Sequence, residues 1–169
     1  MDRSTLRTLA ARISVALLMA TLGALSVSVG AEDLRVGTWQ LVKRQLPDGT
    51  VLTPPKVGGM YSVSPGSIVH HNVFWTTPEG KPASVGGIIK YQMGDQELIG
   101  TRLFGAFDDG SGKGVVYAPY GETKRVPVKR EGNKISYQHP FDPPFIVIDG
   151  DTTTATLEGA FIDTWERVK

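Results

Sequence analysis

Two stretches decide the fold: Val36-Gly37-Thr38-Trp39-Gln40-Leu41-Val42, and Phe161-Ile162-Asp163-Thr164-Trp165-Glu166-Arg167-Val168 at the far end. Both read as strands. In a closed β-barrel the first and last strands must pair, because an open edge is a template for aggregation. Trp39, near the start of the first strand, then faces Arg167, near the end of the last, across the barrel floor. A guanidinium on an indole face is worth roughly 0.5–2 kcal/mol, depending on desolvation. Gly37 lets the neighbouring backbone come close to that ring, which a side chain would hinder. On the closing strand Phe161, Asp163, Trp165 and Arg167 share one face. The spacing of Asp163 and Arg167 sets them too far apart for a direct ion pair beneath Trp165.

Between these ends the punctuation is of β type. Gly and Pro recur every eight to twelve residues or so, and no window sustains a helical apolar period. Strands are expected at 36–45, 58–64, 67–76, 83–93, 97–107, 113–118, 123–130, 134–139, 144–148, 152–157 and 160–168. Pro47-Asp48-Gly49, Asp109-Gly110-Ser111-Gly112, Glu131-Gly132-Asn133 and Asp149-Gly150-Asp151 supply the turns, with Gly at positive φ. Short strands joined by hairpins make an antiparallel meander, and the expected fold is an all-β, up-and-down barrel of about eight to ten strands. Gly58-Gly59 and Gly86-Gly87 read as places where strands bend at barrel corners. Pro54-Pro55 denies the ladder two donors, so residues 46–57 form a loop. His139-Pro140-Phe141-Asp142-Pro143-Pro144-Phe145 is a second Pro-rich loop and a second candidate rim piece, either presented at a mouth or, as expected first, tucked over the core.

Gly37-x-Trp39 together with Trp165-Glu166-Arg167 resembles the lipocalin superfamily, most closely the bacterial secreted proteins with a lipocalin-like domain. The resemblance implies one barrel domain over residues 32–169, with the loop at 46–57 lying over the open end as a lid or rim. It also implies carriage or sequestration of a lipid, a pigment or another sparingly soluble compound.

Residues 1–31 read as a secretory leader. Arg3, Arg7 and Arg12 precede an apolar run from Ile13 to Leu25, and Val29-Gly30-Ala31 offers small residues for cleavage before Glu32. The run is short of the roughly 20 residues a spanning helix needs, so no membrane insertion is expected after the leader is removed. The remaining 138 residues suit one domain with a real core. There is no cysteine, which excludes disulfides and thiolate chemistry. Beyond residue 31, fifteen Lys and Arg stand against sixteen Asp and Glu with no run of either sign. That balance argues against nucleic acid as a partner and against an anionic membrane surface. A periplasmic or secreted monomer or weak dimer is expected.

The candidate binding residues come from the alternation of each strand. Val69, His71, Val73 and Trp75 form the more apolar face of their strand, and His70 with Asn72 the outer one. Adjacent histidines point in opposite directions, so His70 and His71 cannot chelate one metal together, and no metal or cofactor is assigned. Tyr61 with Val63, and Ile89 with Tyr91 and Met93, make further inward sets. Along 98–107, Ile99, Leu103 and Phe107 fit an inward face with Arg102 and Phe104 outward; the reverse would place Arg102 in the pocket, matched to a ligand carboxylate. Tyr117 and Tyr137 complete the candidate ligand-binding set of Tyr61, His71, Trp75, Tyr91, Met93, Arg102, Phe104, Tyr117 and Tyr137. The barrel-closure set is Gly37, Trp39, Trp165 and Arg167.

No nucleophile elbow, phosphate loop or His-based zinc motif is present. The leading expectation is therefore a binding protein for one small hydrophobic or amphipathic molecule. Three alternatives stay open. One is a cofactor-free isomerase or cyclase using His71, Tyr137 and His139 as acid–base groups; another is a haem-binding barrel with a histidine ligand; the third is a structural or interaction barrel with a filled interior.

Overall fold

The computed structural model describes residues 36–169, and the leader expected at residues 1–31, with its cleavage point, lies outside the described residues. Alternating apolar and polar side chains broken by glycine and proline turns leave twelve strands: β1 (Gly37–Gln45), β2 (Val51–Leu52), β3 (Val57–Val63), β4 (Ile68–Thr76), β5 (Pro82–Met93), β6 (Glu97–Asp108), β7 (Val116–Tyr117), β8 (Thr123–Glu131), β9 (Lys134–Gln138), β10 (Phe145–Asp149), β11 (Thr152–Leu157) and β12 (Phe161–Arg167). Ten of them close into a ring in chain order, each antiparallel to the next, with β12 returning to β1. The two-residue strands stand outside the ring, β2 on β1 and β7 on β6. The fold is a closed antiparallel up-and-down barrel, the architecture that the alternation and the lipocalin resemblance implied.

The seam joins the two quoted stretches. Trp39 lies opposite Arg167 and Leu41 opposite Trp165, and Val168 N–H donates to the carbonyl of Thr38 at 2.8 Å. The Arg167 guanidinium sits 5.0 Å from the centre of the Trp39 ring and donates to the carbonyl of Val36. Tyr61 stacks on Trp39 at 4.8 Å and meets Trp165 edge-on at 5.3 Å. These rings, with Leu41, Ile89 and Leu98, fill the lower barrel; Trp39, Leu41 and Leu98 are wholly buried. Gly37 has φ +145°, and a Cβ there would lie 2.7 Å from Arg167 Nη2. The room it provides is for the guanidinium, rather than for backbone against the indole.

Two register shifts change which side chains point inward. Between Leu41 and Lys43 the β1–β12 pairing slips by one residue, so Arg44, which strict alternation from Trp39 would turn outward, is buried. Between β5 and β6, Ile88 pairs with Phe104 but Ile89 pairs with Arg102, leaving Leu103 as the extra residue. Arg102 therefore shares the inner face with Gly105 and Phe107, while Phe104 faces out. A regular strand would put Arg102 and Phe107 on opposite faces. Neither of the two alternations expected for 98–107 holds over its whole length.

The glycine pairs make space for neighbouring rings. A Cβ on Gly59 would come within 3.1 Å of the Trp165 ring, and one on Gly87 within 2.7 Å of His71 Cε1.

Gly37 and Gly49 both have positive φ, +145° and +84°, but nothing lies within 4 Å of a Cβ at Gly49. Gly49→Ala is expected to cost about 1 kcal/mol from backbone conformation alone. Gly37→Ala adds displacement of the Arg167 guanidinium and is expected to cost about 3 kcal/mol. Urea unfolding of the two variants side by side checks the difference.

Candidate ligand cavity

Above the aromatic floor the barrel is hollow. A cavity of about 600 Å³ is bounded below by Tyr61 and Trp165, around its wall by residues such as Val73, Ile146 and Ala155, and above by His139, Asp142, Pro143 and Pro144. The segment between β9 and β10 is thus its roof. No residue of 46–56 lines the cavity. That loop instead folds back on β1 through β2, with Leu52 packed on the core; of the expected lid or rim the lid is corrected, and the loop stands at the barrel end where β1 finishes and β3 begins.

The roof is held by its own histidine. His139 Nδ1 accepts the N–H groups of Asp142 at 2.9 Å and Phe141 at 3.3 Å, and its Nε2 bonds the Tyr91 hydroxyl at 3.1 Å. Pro140 and Phe141 rest where Gly100 carries no side chain. The Asp142 carboxylate lies 3.2 Å from His139 Nδ1 and 3.8 Å from His71 Nε2. Burial pushes the His139 imidazole down from its ordinary value to about 4, against the pull of Asp142. Burial also lowers His71, again with Asp142 opposing. Short His–Asp distances suggest ion pairs, but a Nδ1 that accepts two N–H donors carries no proton. Both rings are neutral at pH 7.

A second polar pair is built into the wall toward the same end of the barrel, where β1 finishes and β12 begins. Arg44 donates from Nε and Nη2 to the two oxygens of Asp163, each at 2.7 Å, and both residues are buried. The guanidinium lies 4.0 Å from the Phe161 ring centre and 5.3 Å from that of Trp75. Burial raises the Asp163 carboxyl while the bonds and charge of Arg44 hold it down; the fork-shaped geometry needs the carboxylate form. This pair escaped the sequence reading because only the register slip turns Arg44 inward. The expectation that Asp163 does not bond Arg167 stands alongside it: Arg44 is the partner.

Of the nine candidate binding residues, Tyr61, His71, Trp75, Tyr91 and Tyr137 line this cavity. Met93 packs against the core instead. Arg102 lines a side cavity of about 120 Å³, with Glu122 at 2.7 Å and the Phe141 ring beneath it at 4.4 Å. Phe104 borders that side cavity but is 44% exposed, and Tyr117 is 69% exposed on the short outer strand. The extra residue at Leu103 turns Phe104 out, and β7 lies outside the ring, so neither reaches the main cavity. His139, grouped with Tyr137 by alternation, spends its nitrogens on the roof and on Tyr91. Moving a proton through it would undo the loop it holds. Among the described residues no cluster of His, Asp and Glu is arranged to hold a metal ion.

The class that strand pairing and cavity define is a closed up-and-down β-barrel with a roofed internal hollow. No protein-family model matches the chain, and no curated protein matches it. A solved structure that it matches is that of a lipocalin-like protein from Bacteroides uniformis ATCC 8492, at 15% identity. The match covers 80% of this chain and 99% of that one, with a TM-score of 0.33.

Two outcomes follow from the polar groups. The unfolded chain takes up a proton on His139 below pH 6.5, whereas the folded chain resists it down to about 4. Stability therefore falls as pH drops through that window, by at most about 3 kcal/mol from this residue. Denaturant titrations at both ends of the window check this, and His139→Asn is expected to remove the share of the slope that His139 supplies, leaving that of His71, which burial also lowers. For the wall pair, Asp163→Ala is expected to cost about 3–5 kcal/mol by stranding a buried cation. Arg44→Met with Asp163→Leu together is expected to change stability little, because no charge is left unpaired.

Proposed function

We propose that the protein is an exported carrier or sequestering protein that holds one small apolar or amphipathic molecule in the barrel, beneath the 139–144 roof. The observation that carries this reading is the hollow itself. Close-packed interiors rarely leave room larger than a few waters, yet here about 600 Å³ is walled largely by apolar side chains with a few convergent polar groups. That combination of apolar wall and sparse polar anchors is what small-ligand sites share. An empty apolar space of this size forfeits the dispersion contacts of every atom lining it, and an occupant restores them. Export rests on the leader at residues 1–31, and it makes the compartment periplasmic or extracellular.

Native mass spectrometry of the protein purified from its own compartment tests both parts. The expected result is a chain beginning at Glu32 and carrying a non-covalent mass of lipid size. Ala155 lines the cavity from β11. Ala155→Trp is expected to fill the space and weaken binding of a neutral apolar dye such as N-phenylnaphthylamine at least about tenfold, with the unfolding midpoint held or raised. Undiminished dye binding by a folded Ala155→Trp protein would place the dye elsewhere and remove the carrier reading.

A further inference from the structure

The charges around the cavity decide which end group an occupant can carry. Arg44 is the cation among the lining residues whose charge reaches the main cavity, and Asp163 already engages its Nε and Nη2 at 2.7 Å. Its charge is balanced before any ligand enters. The other ionised group on the lining is Asp142, whose carboxylate faces the rings of His71 and His139 at 3.8 and 3.2 Å. His139 uses its Nδ1 lone pair for the N–H groups of Phe141 and Asp142, so it offers no compensating charge. Arg102 is turned into the side cavity and tied to Glu122, which Lys124 also approaches at 3.2 Å. A ligand carboxylate would then be a third anion alongside Asp163 and Asp142, with Arg44 as the one cation on a largely apolar lining. Burying an unpaired charge is far more costly than burying a hydrogen-bonded neutral group.

A neutral oxygen meets the opposite situation. Nη1 of Arg44 is the guanidinium nitrogen that Asp163 leaves over. The ring faces of Phe161 and Trp75, 4.0 and 5.3 Å from the guanidinium carbon, hold the group in place. A rigid donor in an apolar wall binds a carbonyl, ester or hydroxyl oxygen without importing charge. We propose that the cavity selects uncharged, oxygen-bearing apolar molecules over carboxylates of the same skeleton, with Arg44 Nη1 donating to the ligand oxygen. The inference rests on the carrier reading above and deepens it by naming the ligand class.

The test is a matched series displacing N-phenylnaphthylamine from the wild-type protein: dodecanol, methyl dodecanoate and dodecanoate, at about pH 8, where the last is fully ionised. Dodecanol and the methyl ester are expected to displace the dye at concentrations at least about tenfold lower than dodecanoate. Equal or stronger displacement by dodecanoate overturns the ligand class while leaving the carrier reading intact. If neither the dye nor any of the three compounds binds, the carrier reading fails and takes this inference with it. Asp163→Asn gives a second reading of the same point, since it releases the Arg44 charge. In that variant the preference is expected to narrow or reverse, and a folded variant that still rejects dodecanoate as strongly as the wild type shows that Arg44 is not the determinant. Should the variant fail to fold, the wild-type series decides alone.

Discussion

Everything in this molecule depends on β1 meeting β12. A ten-stranded meander left open would expose two ladders of unpaired N–H and C=O groups; closing it removes both edges and creates an inside. The seam is strengthened where it begins. Trp39 is pressed between the demands of two neighbours, the Arg167 guanidinium at 5.0 Å and the stacked Tyr61 ring at 4.8 Å. Gly37 gives up a side chain so that Arg167 can reach both the ring and the carbonyl of Val36. This concentrates bulk at one end of the barrel. Three large rings fill the floor, and the space they do not reach becomes the cavity.

Once the ring is closed, two one-residue slips place the chemistry. Side chains alternate with period two, so a single extra residue sends everything beyond it to the other face. The slip in β1 brings Arg44 inside against Asp163, and the one in β6 brings Arg102 inside against Glu122. Each guanidinium arrives with a carboxylate at 2.7 Å, as a buried charge must. The roof uses a different solution. His139 stays neutral and offers a lone pair to two backbone N–H groups, which lets a loop with three prolines sit over an apolar hollow without stranded donors.

The sequence made the architecture legible because the signals for it are local and repeated. Glycine and proline turns bound strands whose alternation survives along most of their length, and the predicted spans fall within a residue or two of those observed for β1, β3 to β6 and β8 to β12. The seam was readable because Trp39 and Arg167 lie at opposite ends of the chain, where closure forces them together. The interior was legible only where strands stay regular: Tyr61, His71, Trp75, Tyr91 and Tyr137 reach the cavity as alternation requires. It failed where a bulge intervenes. Nothing in Leu41-Val42-Lys43-Arg44 marks the slip that buries Arg44, and nothing near Leu103 separates Arg102 from Phe104. The roof was misplaced for another reason. Both Pro-rich loops looked capable of covering the mouth, and the second is seated by Gly100, whose missing side chain leaves room for Pro140 and Phe141 two strands along the ring.

Native-state hydrogen exchange of the seam tests closure most directly. If β1 and β12 pair as described, the amides of residues 39–45 and 162–167 that face one another will exchange as slowly as those between β4 and β5, and will open only with global unfolding. Amides along either strand exchanging at the rate of the 46–50 turn would mean an open edge, and with it no enclosed cavity.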